Sequence, residues 1–233
     1  MQPRRRLADL LVLGILIASG HATPTSGQAG PESSGPPAQG SSGRVRPADL
    51  NAETGNRFPP IRRDALDETG KKLYDTRGVT DGFGPGALRL YSPPVAASMT
   101  AVNDYLRRKS GLEPRLVELA ILVTAREMDA EYVWTSHEPA AQKAGLEQSI
   151  IDTVKFRRPV TALGEKERVI VQLGRDAIGK HKVDSETFAE AVQLFGHQGV
   201  VNIASLIGDY AATAVLLNVA DQRVRDVSLL PVP

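Results

Sequence analysis

The chain has 233 residues, 28 basic against 27 acidic side chains, a net charge of +1, and no cysteine. The missing thiols exclude disulfide staples, thiolate metal sites and peroxidase chemistry that runs through a cysteine nucleophile. Charge this evenly balanced gives no sign of the clustered basic face that nucleic-acid binding requires, so no nucleic-acid partner is expected.

Arg4-Arg5-Arg6 precede a short apolar run, Leu7 to Ala18, broken by Asp9 and Gly14, and Gly20-His21-Ala22 offer a small-residue cleavage site. Residues 1–22 therefore read as an export signal, which places the protein in the periplasm or outside the cell. The run is shorter than the roughly 20 residues that span a bilayer, so no stable membrane span is expected. An uncleaved anchor is the alternative. TPTSGQAGPESSGPPAQGSSG follows, too poor in apolar side chains to offset its ordering entropy, and residues 23–60 are assigned to a flexible linker. A folded domain is expected over 61–225, with a loose tail over 226–233.

Almost every segment after Ile61 has helical spacing and none alternates as a strand would, so the fold class is all-α. The first helix is expected from Ile61 to Arg77, followed by a glycine-rich loop, Gly78 to Gly86. Ser92-Pro93-Pro94 reads as a cap with proline in the first turn of a helix that runs to Lys109 and buries Val95, Met99, Val102 and Leu106. Pro114 opens a helix to Met128 that is apolar on nearly every side around Glu118, the pattern of a buried helix. Asp129 is expected to cap the next helix, which stops at Gly145. Helices at Glu147–Val154, Glu165–Gly179 and Ser185–Phe195 precede a long apolar one from Gln198 to Val219. LEPRLVELAILV and LGEKERVIVQLG echo one another, as two copies of a helical hairpin would.

The candidate chemistry sits in VELAILVTAREMDAEYVWTSHEPAA. At about 100° per residue, Ala130, Val133 and His137 share one helix face, together with Ala141 and Ala144, and that small apolar face leaves room beside the imidazole. Glu118 on the preceding helix can reach the same space. A carboxylate against an imidazole in a dry pocket is a proton-transfer pair. The competing reading of Glu118 is a structural ion pair with Arg115, Arg126 or a neighbouring subunit, because a buried acid needs a partner. Tyr132 and Trp134 flank the pair as candidate substrate contacts or as packing, and Arg89 is a candidate clamp for an anionic substrate or an ordinary pairing residue. Asp209 is either a third polar group of the pocket or the partner of an arginine across a subunit boundary. His181 and His197 lack a second ligand at useful spacing, so no metal site and no cofactor are expected.

YSPPVAASMTAVNDYLRRKSGLEPRLVELAIL, EYVWTSHEPAAQKAGL and FGHQGVVNIASLIGDYAATAVLLN together resemble the carboxymuconolactone decarboxylase and alkyl hydroperoxide reductase D superfamily, over roughly residues 66–225. Its redox branch carries a glutamate, a CxxC pair and a histidine. Glu118 and His137 match, whereas Ala130 and Val133 occupy the cysteine positions. Relatives often have YEW where this chain has Tyr132-Val133-Trp134. The resemblance implies a helical fold of the alkyl hydroperoxide reductase D type, assembled as a trimer or a hexamer. Two functions stay open. One is cofactor-free decarboxylation, isomerisation or ring opening of a small lactone or unsaturated oxo-acid, with His137 as acid, Glu118 behind it and Arg89 on the substrate. The other is a noncatalytic exported oligomer that binds a small molecule.

Overall fold

A computed structural model describes residues 47–77, 83–224 and 230. All described segments lie within one unit, Ser41–Pro233, and among them there are helices and turns but no strand. In chain order the helices are α1 Glu68–Arg77, α2 Gly84–Arg89, α3 Pro93–Arg108, α4 Pro114–Glu127, α5 Glu131–Lys143, α6 Gln148–Lys155, α7 Glu165–Gly174 and α8 Ser185–Ala220. The expected export signal and most of the linker lie outside the described residues.

α4 is the axis of the fold. Pro114 stands in its first turn, where a missing N–H costs nothing, and every residue from Leu116 to Arg126 is buried. α5, α6, α7 and α8 all pack against it. α4 with α5, and α7 with α8, form the two hairpins that the sequence echo suggests. α5 ends where Gly145 takes a left-handed φ of 87°, with the Gly145 and Leu146 amides bonded back to Gln142 and Ala141 and Leu146 buried. This is the paired-amide ending that glycine favours.

Several boundaries differ from expectation. A 3₁₀ turn, Arg63–Ala65, replaces the first part of the expected Ile61–Arg77 helix. Residues 78–82 of the glycine-rich loop lie outside the described residues, and Gly84 onward is helical. Ser92 stands at the start of α3 but its side chain makes no capping bond. Asp129 does not cap α5. It takes a left-handed φ of 45° in the link and pairs with Arg126, leaving Ala130 at the cap position. The expected Glu165–Gly179 helix finishes as a π-helical turn, Arg175–Lys180. The break expected between Phe195 and Gln198 is Gly196, whose φ of 66° and ψ of 172° interrupt α8.

The folded chain also begins earlier than residue 61. Asn56 is fully buried, donating from Nδ2 to Gln222 Oε1 at 2.8 Å, and the Arg57 amide donates to Ala220 O at 2.8 Å. Polar bonds rather than apolar burial hold this segment, so composition does not reveal it. In the expected loose tail, Leu230 is buried. The other residues from 225 to 233 lie outside the description.

α3 is turned by about 100°, one residue, from the face its apolar pattern suggests. Leu106 is buried as expected, but Val95 and Val102 are 50% and 45% exposed, and Ala96 takes the inner place. Thr100, Asn103 and Arg107 point towards the interior cavity instead. α8 is the one described helix long and apolar enough to cross a membrane, and half of that stretch is buried within the fold.

Candidate functional site

Glu118 sits on the side of α4 that looks between α3 and α5, and each of its oxygens has a partner. Arg107 Nη2 on α3 donates to Oε1 at 2.9 Å, and His137 Nδ1 on α5 meets Oε2 at 2.7 Å. The carboxylate side chain is 9% exposed, the imidazole 15% and the guanidinium 28%. Burial acts to raise the pKa of Glu118. The hydrogen bond and charge of His137, and then those of Arg107, outweigh it and hold the carboxyl below its ordinary value of 4.5. Burial likewise acts to lower the pKa of Arg107, but Tyr210 and Glu118 reverse the direction. With Nδ1 committed to an ionised carboxylate, Nε2 is the nitrogen left to act on a ligand.

His137 lines a cavity of about 180 Å³ beside this couple. Val133, one turn earlier on α5, lines the same wall, together with Tyr132 and Ser136. α3 contributes Thr100, Asn103 and Arg107, α2 contributes Arg89, and α8 contributes Tyr210 and Thr213. Leu73, Leu90 and Ala96 add apolar lining to a wall that also carries two arginines and an imidazole. The Tyr210 ring meets the His137 ring edge-on, with centroids 5.1 Å apart. Arg89 donates from Nη2 to Thr213 Oγ1 at 2.6 Å and stands 3.8 Å from Asp209 Oδ1. Asn103 Nδ2 donates to Asp209 Oδ2 at 2.7 Å.

The structure thus brings Glu118, His137, Tyr132 and Arg89 to one site, with Glu118 behind the wall and the other three on it. Trp134 is not on the cavity. One residue beyond Val133 turns it about 100° around α5. There it is fully buried, with Nε1 donating to Glu138 Oε2 at 2.7 Å and Lys155 over its ring at 5.7 Å. Its role as a substrate contact is corrected to packing. Two other expectations are corrected by chain-internal pairing. Glu118 pairs with neither Arg115, which binds Glu167 and Glu113, nor Arg126, which binds Asp129 and the Lys155 carbonyl. Asp209 finds its arginine, Arg89, within the same chain.

Arg107, Asn103 and Tyr210 escaped the sequence reading. Arg107 stands in an Arg107-Arg108-Lys109 run that looks like ordinary cations at a helix C-terminus, and only its position between Glu118 and the cavity separates it from the run. Among the described residues, no three His, Cys, Asp or Glu side chains converge in a way that would hold a metal ion.

Gly84 fixes the rim. Its φ of 84° is one that L side chains rarely adopt, and an added Cβ would collide with the Tyr132 hydroxyl. The Tyr132 ring also rests on Phe83, with centroids 5.4 Å apart. Gly84→Ala is expected to destabilise the fold by about 1–3 kcal/mol, from backbone strain and displacement of Tyr132. Thermal melting checks it, and an unchanged transition would mean that the 83–84 segment yields without resistance.

Residues 93–176 match the carboxymuconolactone decarboxylase family model, a span that contains Asn103, Arg107, Glu118 and His137 but not Arg89, Tyr210 or Thr213. No curated protein matches the chain. Among solved structures, it is similar to an alkylhydroperoxidase AhpD core, an uncharacterized peroxidase-related protein from Ralstonia eutropha JMP134. The TM-score is 0.60 at 16% identity, over 73% of this chain and 93% of that one.

Proposed function

We propose that this chain, an AhpD-like helical protein of the carboxymuconolactone decarboxylase superfamily, performs cofactor-free acid–base chemistry on a small unsaturated carboxylate, a lactone or an oxo-acid. The observation that carries the reading is the 2.7 Å contact of His137 Nδ1 with a Glu118 carboxylate that His137 and Arg107 together keep ionised, at the wall of a cavity of about 180 Å³. The route used by thiol peroxidases has no nucleophile here, since the sequence contains no cysteine.

Two reactions use these parts. In decarboxylation, the bond from carbon to the carboxylate breaks, carbon dioxide leaves, and the electron pair moves into the conjugated carbonyl as an enolate. The His137 imidazolium then delivers its Nε2 proton to carbon and is reprotonated from solvent. In isomerisation, neutral Nε2 takes a proton from carbon and returns it at another carbon of the same enolate. Glu118 serves both by fixing the ring's orientation and leaving Nε2 towards the cavity. Arg107 and Arg89, on the cavity wall, match a carboxylate or a developing oxyanion.

A screen of small lactones and unsaturated oxo-acids, read by carbon dioxide release and by loss of ring or conjugated absorbance, tests the reading. Turnover by the intact protein is expected. Silence across both classes would move the assignment to a noncatalytic binder, a reading favoured by the full occupancy of both Glu118 oxygens.

The proposal includes export and self-assembly. Val95, Val102 and Tyr105 on α3, with Tyr91 just before it, leave an exposed apolar strip that suits a second copy. Half of the apolar stretch of α8 is buried within the fold, which supports a core helix rather than a stable membrane span. Native mass spectrometry of the secreted material reads both the subunit number and the processing point.

A further inference from the structure

Tyr210 is a buried phenol on the wall of the ligand cavity, held edge-on against the His137 ring. Donors and carboxylates both stand near it, but the Glu118 oxygens are taken by Arg107 and His137, and Asp209 Oδ2 by Asn103. Arg107 lies close enough to act on its charge, and Asn103 approaches its oxygen with the amide that also bonds Asp209. A guanidinium cannot accept a hydrogen bond, and an amide NH₂ cannot either. The phenol oxygen therefore has partners for its lone pairs, while its own proton has the cavity to point into. Burial pushes the phenol's pKa up, so it keeps that proton at neutral pH.

We propose that Tyr210 is a hydrogen-bond donor to the oxyanion of the bound ligand and forms, with Arg107, an oxyanion site beside His137. The ligand class is a planar conjugated carbonyl compound whose oxygen carries negative charge, an enolate or a phenolate. In either reaction above, Tyr210 keeps its proton and lends only a hydrogen bond while negative charge builds on the substrate oxygen. The catalytic use of the site rests on the acid–base reading. The donor site itself rests on the place of Tyr210 in the cavity wall, beside Arg107 and against the His137 ring.

4-Nitrophenol is the test probe, because absorbance near 400 nm reports its ionised form directly. The intact protein is expected to bind 4-nitrophenolate and keep it ionised at a pH where the free phenol is protonated. Tyr210→Phe keeps the ring, its burial and its contact with His137, and is expected to weaken phenolate binding about tenfold to a hundredfold. On any substrate found in the screen, Tyr210→Phe is expected to lower kcat about a hundredfold or more with little change in KM. Equal phenolate binding by Tyr210→Phe, or none by the intact protein, overturns the proposal, even if turnover is found. Absent turnover leaves the phenolate result standing. Should Tyr210→Phe not fold, a downfield phenol proton in the NMR spectrum of the intact complex, missing from the free protein, supports the donor. Its absence counts against it.

Discussion

Glu118→Ala is expected to lower stability by about 3 kcal/mol, the low end for breaking a buried ion pair. The low end applies because Arg107, left behind, is 28% exposed and can turn part of its charge to water, whereas the carboxylate it loses is only 9% exposed. For a domain of this size the melting temperature should fall by about 6–12 °C. Removing Arg107 as well should cost less than the sum of the two single changes, since the second then removes a charge that has already lost its partner. The loss also has a pH signature. Because the folded pKa of Glu118 lies below 4.5, the unfolded chain takes up the proton first as pH falls. The carboxylate's contribution is complete above the ordinary value and disappears as pH drops through the folded one. The gap between intact protein and variant should therefore close in acid. A gap that persists at the lowest pH where both still fold would show that shape, not charge, is what the variant lost.

His137→Gln is the complementary change, with the larger effect on rate. Glutamine can still donate towards Glu118, which keeps Arg107 at 2.9 Å, so the buried carboxylate is not orphaned. The stability loss should stay near about 1–2 kcal/mol, in the range of one hydrogen bond to a charged group. Turnover should fall about a hundredfold to ten-thousandfold, because an amide cannot carry a proton at neutral pH. The two variants then divide differently: Glu118→Ala moves the melting curve as well as the rate, and His137→Gln chiefly the rate. Retained turnover in His137→Gln, with folding intact, would show that the proton travels by another group.

How much of this was readable in advance depended on what each residue was asked to do. Pro114, Gly145 and Gly196 mark real element boundaries, because each restricts or frees the backbone locally, and local rules suffice for that. The Glu118–His137 contact was legible because both residues match the superfamily's glutamate and histidine, and α4 and α5 form one tight hairpin. α3 was not. Its apolar residues Val95, Met99 and Val102 form the regular stripe that normally marks a core face. Its real inner face carries Thr100, Asn103 and Arg107, because a polar cavity rather than an apolar core lies beneath it. Partner choice was hidden for a related reason. Any of several arginines satisfies Glu118 on paper, and only packing brings Arg107 within reach while Glu167 and Asp129 take the others. Residues 47–60 were hidden because Asn56 and Gln222 hold them by paired amides 166 positions apart.

One side chain at 118 is gripped at one oxygen from α3 and at the other from α5, so positions 107, 118 and 137 behave as a single inherited character. Losing the acid strands a cation, and losing either neighbour loosens the acid. Drift through the space of viable sequences should therefore change these three together or leave all three alone.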